Sequence, residues 1–303
     1  MWTVLAFISA LCLGFYDISK KIALRDNRVV DVLTISVCVS ALVLSIPLLL
    51  SRFCPEAMSG SYIYVPTMDV KAHLFTLLKS VIVLSSWVFA YISLKHLPIS
   101  VVNPMQATRP MWTLVGALLI FQEHLNVWQW IGVLLAIGSI FIFSFKNHRK
   151  HPNNLNNQNK LYYICLALAI LIGSCSGLYD KYLMRQYNHN AVQVYYTLYQ
   201  AIMMLIVWAI VNHKSPIKNH KAIQKIGIIV LISLFLIVSD NVYMLALRDP
   251  DSLIAVVSTI RRGGAVIGFA YGLLFLKEPD PWRKVLCMSG VMAGLICLAI
   301  GSI

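Results

Sequence analysis

Ten runs of apolar residues, each about twenty long, succeed one another along the chain with only short polar stretches between them. They fall at about 2–22, 30–51, 72–95, 98–121, 127–145, 161–186, 190–212, 222–247, 252–276 and 281–301. A helix rises about 1.5 Å per residue, so each run reaches across the roughly 30 Å hydrocarbon core of a bilayer. Backbone N–H and C=O groups find no water there. That leaves helices or closed barrels, and a barrel would show short alternating strands instead. The expected fold class is an all-α integral membrane protein with ten transmembrane helices. Composition agrees, since only 12% of the 303 residues are charged and 59% are apolar. A water-soluble domain usually carries about a quarter charged residues, and intrinsic disorder needs far less apolar content.

The net charge of +13 does not point to nucleic acid, because the basic residues sit mostly between the apolar runs. There they set orientation in the bilayer. Loops on the side that holds both termini carry Arg52, Lys71, Arg185 and Arg248, and the opposite loops carry far more Lys and Arg. The positive-inside rule then places both termini outside the cell. The first run lacks a basic region before it and a small-residue cleavage site after it, so it is expected to be a retained helix. The seven cysteines form no CxxC and no Cys/His cluster with metal-ligand spacing. No cofactor or metal is expected, and no GxxxxGK[ST] loop is present to bind ATP.

The polar stretch 146–160 divides the chain into two five-span halves, 1–145 and 161–303. The halves correspond. Gly14-Phe15-Tyr16-Asp17 in the first span returns as Gly177-Leu178-Tyr179-Asp180 in the sixth. Leu94-Lys95 returns as Leu247-Arg248, Arg109 as Arg261-Arg262, and Glu123 as Glu278, all in the same order. A duplicated unit with an odd number of spans enters the membrane in opposite senses, which gives an inverted-topology repeat.

Charges inside spans carry the functional signal, because a central arginine costs roughly 2.5–3.5 kcal/mol to insert. Arg109 and Arg262 lie about 16 Å deep at 1.5 Å per residue, too far to snorkel. With Arg261 they are expected to face a wet cavity, or else to be locked in ion pairs with Asp17, Asp180 or Asp240. The backbone beside them is interrupted in both halves, by Asn103-Pro104 and Arg109-Pro110 in one and Gly263-Gly264 in the other. Paired breaks of this kind mark a midplane binding site, although they also serve as packing kinks. Asp17 and Asp180, each preceded by a tyrosine, read either as a pair of gates binding cargo or a coupled proton, or as local partners of nearby lysines. Asp240-Asn241 is a further polar insertion. Lys79 is expected a turn or two inside its span, where it snorkels. Glu123 and Glu278 are expected to fix the turns into the fifth and tenth spans by accepting backbone N–H bonds. Gly290 and Gly294, with Gly132 and Ala136, allow close helix packing within one protomer or across a homodimer.

These features resemble the EamA branch of the drug/metabolite transporter superfamily. The resemblance covers essentially the whole chain. It rests on the five-plus-five division, the glycine–aromatic element of the first and sixth spans, the polar break in the fourth and ninth, and the apolar runs closing in Glu123 and Glu278. It implies a ten-helix basket with spans 1, 3, 4, 6, 8 and 9 around a central cavity and spans 5 and 10 at the periphery. It also implies a bacterial inner-membrane location and cytoplasmic termini, the reverse of the charge tally.

The expected function is secondary transport of a small polar metabolite by alternating access, in the direction of export. The surplus of in-span cations points to a solute with a carboxylate or phosphate, and an amino acid would satisfy both signs. The expected cavity residues are Arg109, Arg261, Arg262, Asn103, Tyr16, Asp17, Tyr179, Asp180, Asp240 and Asn241. Two other readings stand beside this one: a multidrug exporter of lipophilic cations that uses the aspartates, and a polytopic enzyme acting on a lipid-linked substrate.

Overall fold

The computed structural model describes residues 1–24, 27–58, 60–96, 105, 108–148, 157–214, 226–264, 266–267 and 281–301. The described residues are all-helical. The helices are α1 (Trp2–Leu24), α2 (Val29–Phe53), the single turn α3 (Pro55–Met58), α4 (Val70–His96), α5 (Arg109–Ile120), α6 (Val127–His148), α7 (Asn157–Gln186), α8 (His189–Lys214), α9 (Ile226–Arg248), α10 (Ile254–Arg262) and α11 (Pro281–Ile300). Apart from α3, each answers one expected span. Six described segments are long and apolar enough to cross a membrane, in α1, α2, α4, α7, α8 and α9.

Local chemistry explains the helix ends. Asn126 and Gln129 form a reciprocal capping box at the start of α6, with Gln129 N–H to Asn126 Oδ1 at 2.8 Å and Asn126 N–H to Gln129 Oε1 at 3.0 Å. Both side chains also donate to the carbonyl of Gly301, which ties α6 to the end of α11. Asn188 Oδ1 accepts the amides of Asn190 and Ala191 at the start of α8. Pro110 lies in the first turn of α5, where its missing N–H costs no helical bond. It starts that helix and does not kink it. The ninth span is interrupted as its glycines suggest. α10 ends at Arg262, and the chain continues through Gly263 and Gly264 in i→i+3 turns that reach Val266 and Ile267.

Capping of α10 departs from expectation. Its N-cap, Leu253, supplies no side-chain acceptor. Glu123, from the α5–α6 turn, takes that place: Oε1 accepts the amide of Ile254 at 2.7 Å and Oε2 that of Ala255 at 3.2 Å. Glu123 therefore fixes a helix of the other half of the chain. Its counterpart Glu278 lies outside the described residues.

Helices pair closely where side chains are small. α6 lies along α11, and a Cβ on Gly132 would stand 2.7 Å from the Gly294 carbonyl. A Cβ on Gly294 would stand 2.8 Å from the amide nitrogen of Ala136, and one on Gly290 would strike Ser139. The glycine stripe is thus used inside the protomer. α1 lies along α9 through a serine clasp in which Ser9 Oγ donates to the Ser239 carbonyl at 2.8 Å and Ser239 Oγ donates to the Ser9 carbonyl at 3.0 Å. α4 lies along α7, and α2 along α8. Trp2, the α5–α6 turn, Arg185, the 250–253 turn and Gly301 line one shallow depression, so the two described ends of the chain share a face of the bundle.

Candidate functional site

The middle of the bundle holds a cavity of about 420 Å³. Side chains from α1, α4, α5, α7, α9 and α10 line it, joined by Leu33 of α2 and Tyr196 of α8. No described residue of α6 or α11 reaches it. This size suits a small metabolite. Its wall mixes Tyr16, Trp87, Tyr196 and Tyr243 with five cations and three carboxylates: Lys20, Lys79, Arg109, Arg261 and Arg262 against Asp17, Asp180 and Asp240.

Two ion pairs consume four of these charges. Lys79 Nζ meets Asp180 Oδ1 at 2.5 Å, and both side chains are buried. The same ammonium stands 4.5 Å from the centre of the Tyr196 ring. Lys79 therefore does not snorkel to a surface as its sequence position suggests. It lies two and a half turns inside α4, where Asp180 makes an inward orientation cheaper than a stretch to water. Arg261 donates to Asp240 and lies with its guanidinium carbon 4.1 Å from the Tyr243 ring centre. Its buried Nε has no hydrogen-bond partner among the described residues.

Arg109 and Arg262 differ. Arg109 Nη2 donates to the carbonyl of Gly173 at 2.5 Å. Position 173 must be glycine for this, since a Cβ there would stand 2.6 Å from the guanidinium. Arg262 forms no ion pair or hydrogen bond among the described residues, although it is only partly buried and faces the cavity. Asp17 is exposed to the cavity and likewise makes no ion pair among the described residues. Lys20, three residues on, sits 5.6 Å from the centre of the Tyr16 ring.

Solvent exposure falls along the cavity from Asp17 and Lys20, near the end of α1 remote from the N-terminus, to Lys79 and Asp180. Beyond them Met244, Leu247 and Ile254 are fully buried and close the cavity toward the face that holds the N-terminus.

Of the ten expected residues, the cavity brings together Tyr16, Asp17, Arg109, Asp180, Asp240, Arg261 and Arg262. Tyr179 does not line it. Its hydroxyl donates to the Phe75 carbonyl at 3.2 Å, and its ring stacks on Tyr182. Asn241 does not line it either. It bonds Asn190 at 3.0 Å, Gln193 at 2.7 Å and the hydroxyl of Tyr62 at 3.1 Å. Asn103 lies outside the described residues. Lys181, the next residue after Asp180 in α7, points away from the cavity toward Glu123. Tyr196 and Tyr243 reach the site with no sequence signal beyond being polar aromatics inside a span.

Residues 1–145 match the EamA-like transporter family. A protein known from its crystal structure superposes on 99% of this chain and 96% of its own, with a TM-score of 0.75 at 11% identity, a likeness of fold. No curated protein matches the sequence. The molecule is a multi-pass helical membrane protein whose first 145 residues are similar to the EamA-like transporter family.

Proposed function

We propose that the protein is a secondary transporter that exports a small metabolite bearing a carboxylate or phosphate, an amino acid among them, by alternating access between two inverted five-helix halves. The observation that carries this reading is Arg262, which faces a polar cavity in the middle of an apolar bundle with no ion pair or hydrogen bond among the described residues, attracted only electrostatically by Asp17. An intramembrane guanidinium with no ion pair or hydrogen bond among the described residues is a costly feature that an anionic solute would satisfy bidentately. Asp17, which makes no ion pair among the described residues, suits an ammonium or a coupled proton. The surplus of two cations over carboxylates in the wall favours an anionic solute over a lipophilic cation.

The repeat is supported by helix pairing. Exchanging the halves maps the α1·α9 contact onto α7·α4, and maps α6·α11, α2·α8 and α5·α10 onto themselves. Export is supported by the exposed end of the cavity, which lies on the side that the basic loops assign to the cytoplasm.

The test compares metabolites inside and outside cells that lack or overproduce the protein, then measures uptake of the enriched solute into proteoliposomes. Arg262→Ala removes a charge-assisted pair worth about 1.5–3 kcal/mol, so the apparent affinity falls about 10- to 100-fold at normal membrane levels. Unchanged flux in that variant overturns the assignment. Competition by a cationic dye, abolished in Asp17→Asn, replaces it with cation export.

A further inference from the structure

A second set of buried charges lies outside the cavity, at its closed end. Lys181 is 1% exposed, and its Nζ meets Glu123 Oε1 at 2.6 Å and also donates to the Ser252 carbonyl. The same Glu123 carboxylate accepts the first two amides of α10. Three segments thus converge on one ammonium and one carboxylate: α7, the α5–α6 turn, and the 252–255 stretch that starts α10. Asp180, the neighbour of Lys181, points the other way into the cavity and holds Lys79 of α4. Adjacent opposite charges on α7 therefore tie the cavity wall to the closed end.

We propose that Lys181, Glu123 and the start of α10 form the latch that closes the cavity toward the face holding the N-terminus, and that opening to that face requires its release. The proposal rests on the carrier reading and deepens it. Three observations support it. The latch lies beside the fully buried Leu183, Leu247 and Ile254, where the cavity is sealed. It crosses between segments of the two halves, which must separate there in any exchange of access. α10 carries Arg261 and Arg262 at its far end, so its position sets theirs. Parting the latch leaves an ammonium, a carboxylate and two amides that need partners. They rehydrate only if water reaches them, so release and opening are one event. Glu123 and Lys181 are positioning residues that do not touch the solute.

The experiment places a cysteine on the cavity wall, Ser258→Cys, in a background whose native cysteines are replaced by serine or alanine. A membrane-impermeant thiol reagent is then applied to right-side-out and inside-out vesicles. With the latch intact, labelling is expected mainly from the face remote from the N-terminus. In Glu123→Gln and in Lys181→Met, labelling from the N-terminal face rises about tenfold. Glu123→Asp and Lys181→Arg restore part of the asymmetry. Arg185→Gln, which removes a nearby exposed charge, leaves it unchanged. Unaltered labelling from the N-terminal face in both latch variants, at wild-type membrane levels, overturns the latch. Labelling of Ser258→Cys from neither face overturns the carrier reading itself. If either latch variant fails to accumulate, amide hydrogen exchange at Ile254 and Ala255 in the wild-type protein decides. Exchange far faster than in the rest of α10 supports a latch that opens, and exchange as slow as at Val256 and Val257 overturns it.

Discussion

Lys79 and Asp180 show how a span tolerates charge. Neither residue alone is affordable in an apolar interior, and together they still carry the desolvation of two ions. Removing one partner, as in Lys79→Met or Asp180→Asn, leaves the other stranded and is expected to cost about 3–5 kcal/mol. Removing both, in Lys79→Met with Asp180→Leu, recovers most of that stability while solute transport stays lost. Thermal unfolding of the detergent-purified single and double variants checks this, and additive losses would refute it. At this scale the sequence was legible for the arginines and aspartates, because an ionisable group at midplane depth has few tolerable environments. It was illegible for Tyr179 and Tyr196. Rotation about the helix axis decides which tyrosine enters the cavity, and a run that is apolar all round carries no phase to fix that rotation. The same rotation separates Lys181 from Asp180. At almost the same depth in α7, Lys181 meets Glu123 while Asp180 meets Lys79 in the cavity.

Helix ends and helix pairs follow rules that are partly local and partly not. The Asn126 cap and the Gly263-Gly264 interruption can be read from adjacent residues, and both are present. The cap on α10 cannot, since its acceptor comes from a residue more than a hundred positions away. The glycines of α6 and α11 posed two alternatives, and the close approach of their backbones assigns them to packing within the protomer. Gly294→Leu therefore forces apart two backbones already in contact, at an expected cost of about 1–3 kcal/mol, and lowers the melting temperature by several degrees. Gly138→Leu, on the same α6 but with no atom within 4 Å of the added Cβ, leaves it unchanged. Equal melting of the two variants would return the stripe to other duties.

For the whole molecule, even spacing of the apolar runs made the architecture the most legible feature, because bilayer thickness dictates element length. The described ends of the chain come to one face, as an even number of crossings requires. Which face this is depends on the loops. The charge tally predicts that a C-terminal reporter active only outside the cytoplasm gives signal, and that its cytoplasmic counterpart does not. The reverse result would turn the exposed end of the cavity outward and make the carrier ready to load from outside.

The borrowed cap on α10 also bears on how the chain is made. Synthesis runs from residue 1 onward, so the Glu123 carboxylate is already in the membrane when Ile254 leaves the ribosome. The last helices then assemble against a finished template. A C-terminal fragment translated alone would emerge with the start of α10 uncapped, so the order in which the two parts are made matters.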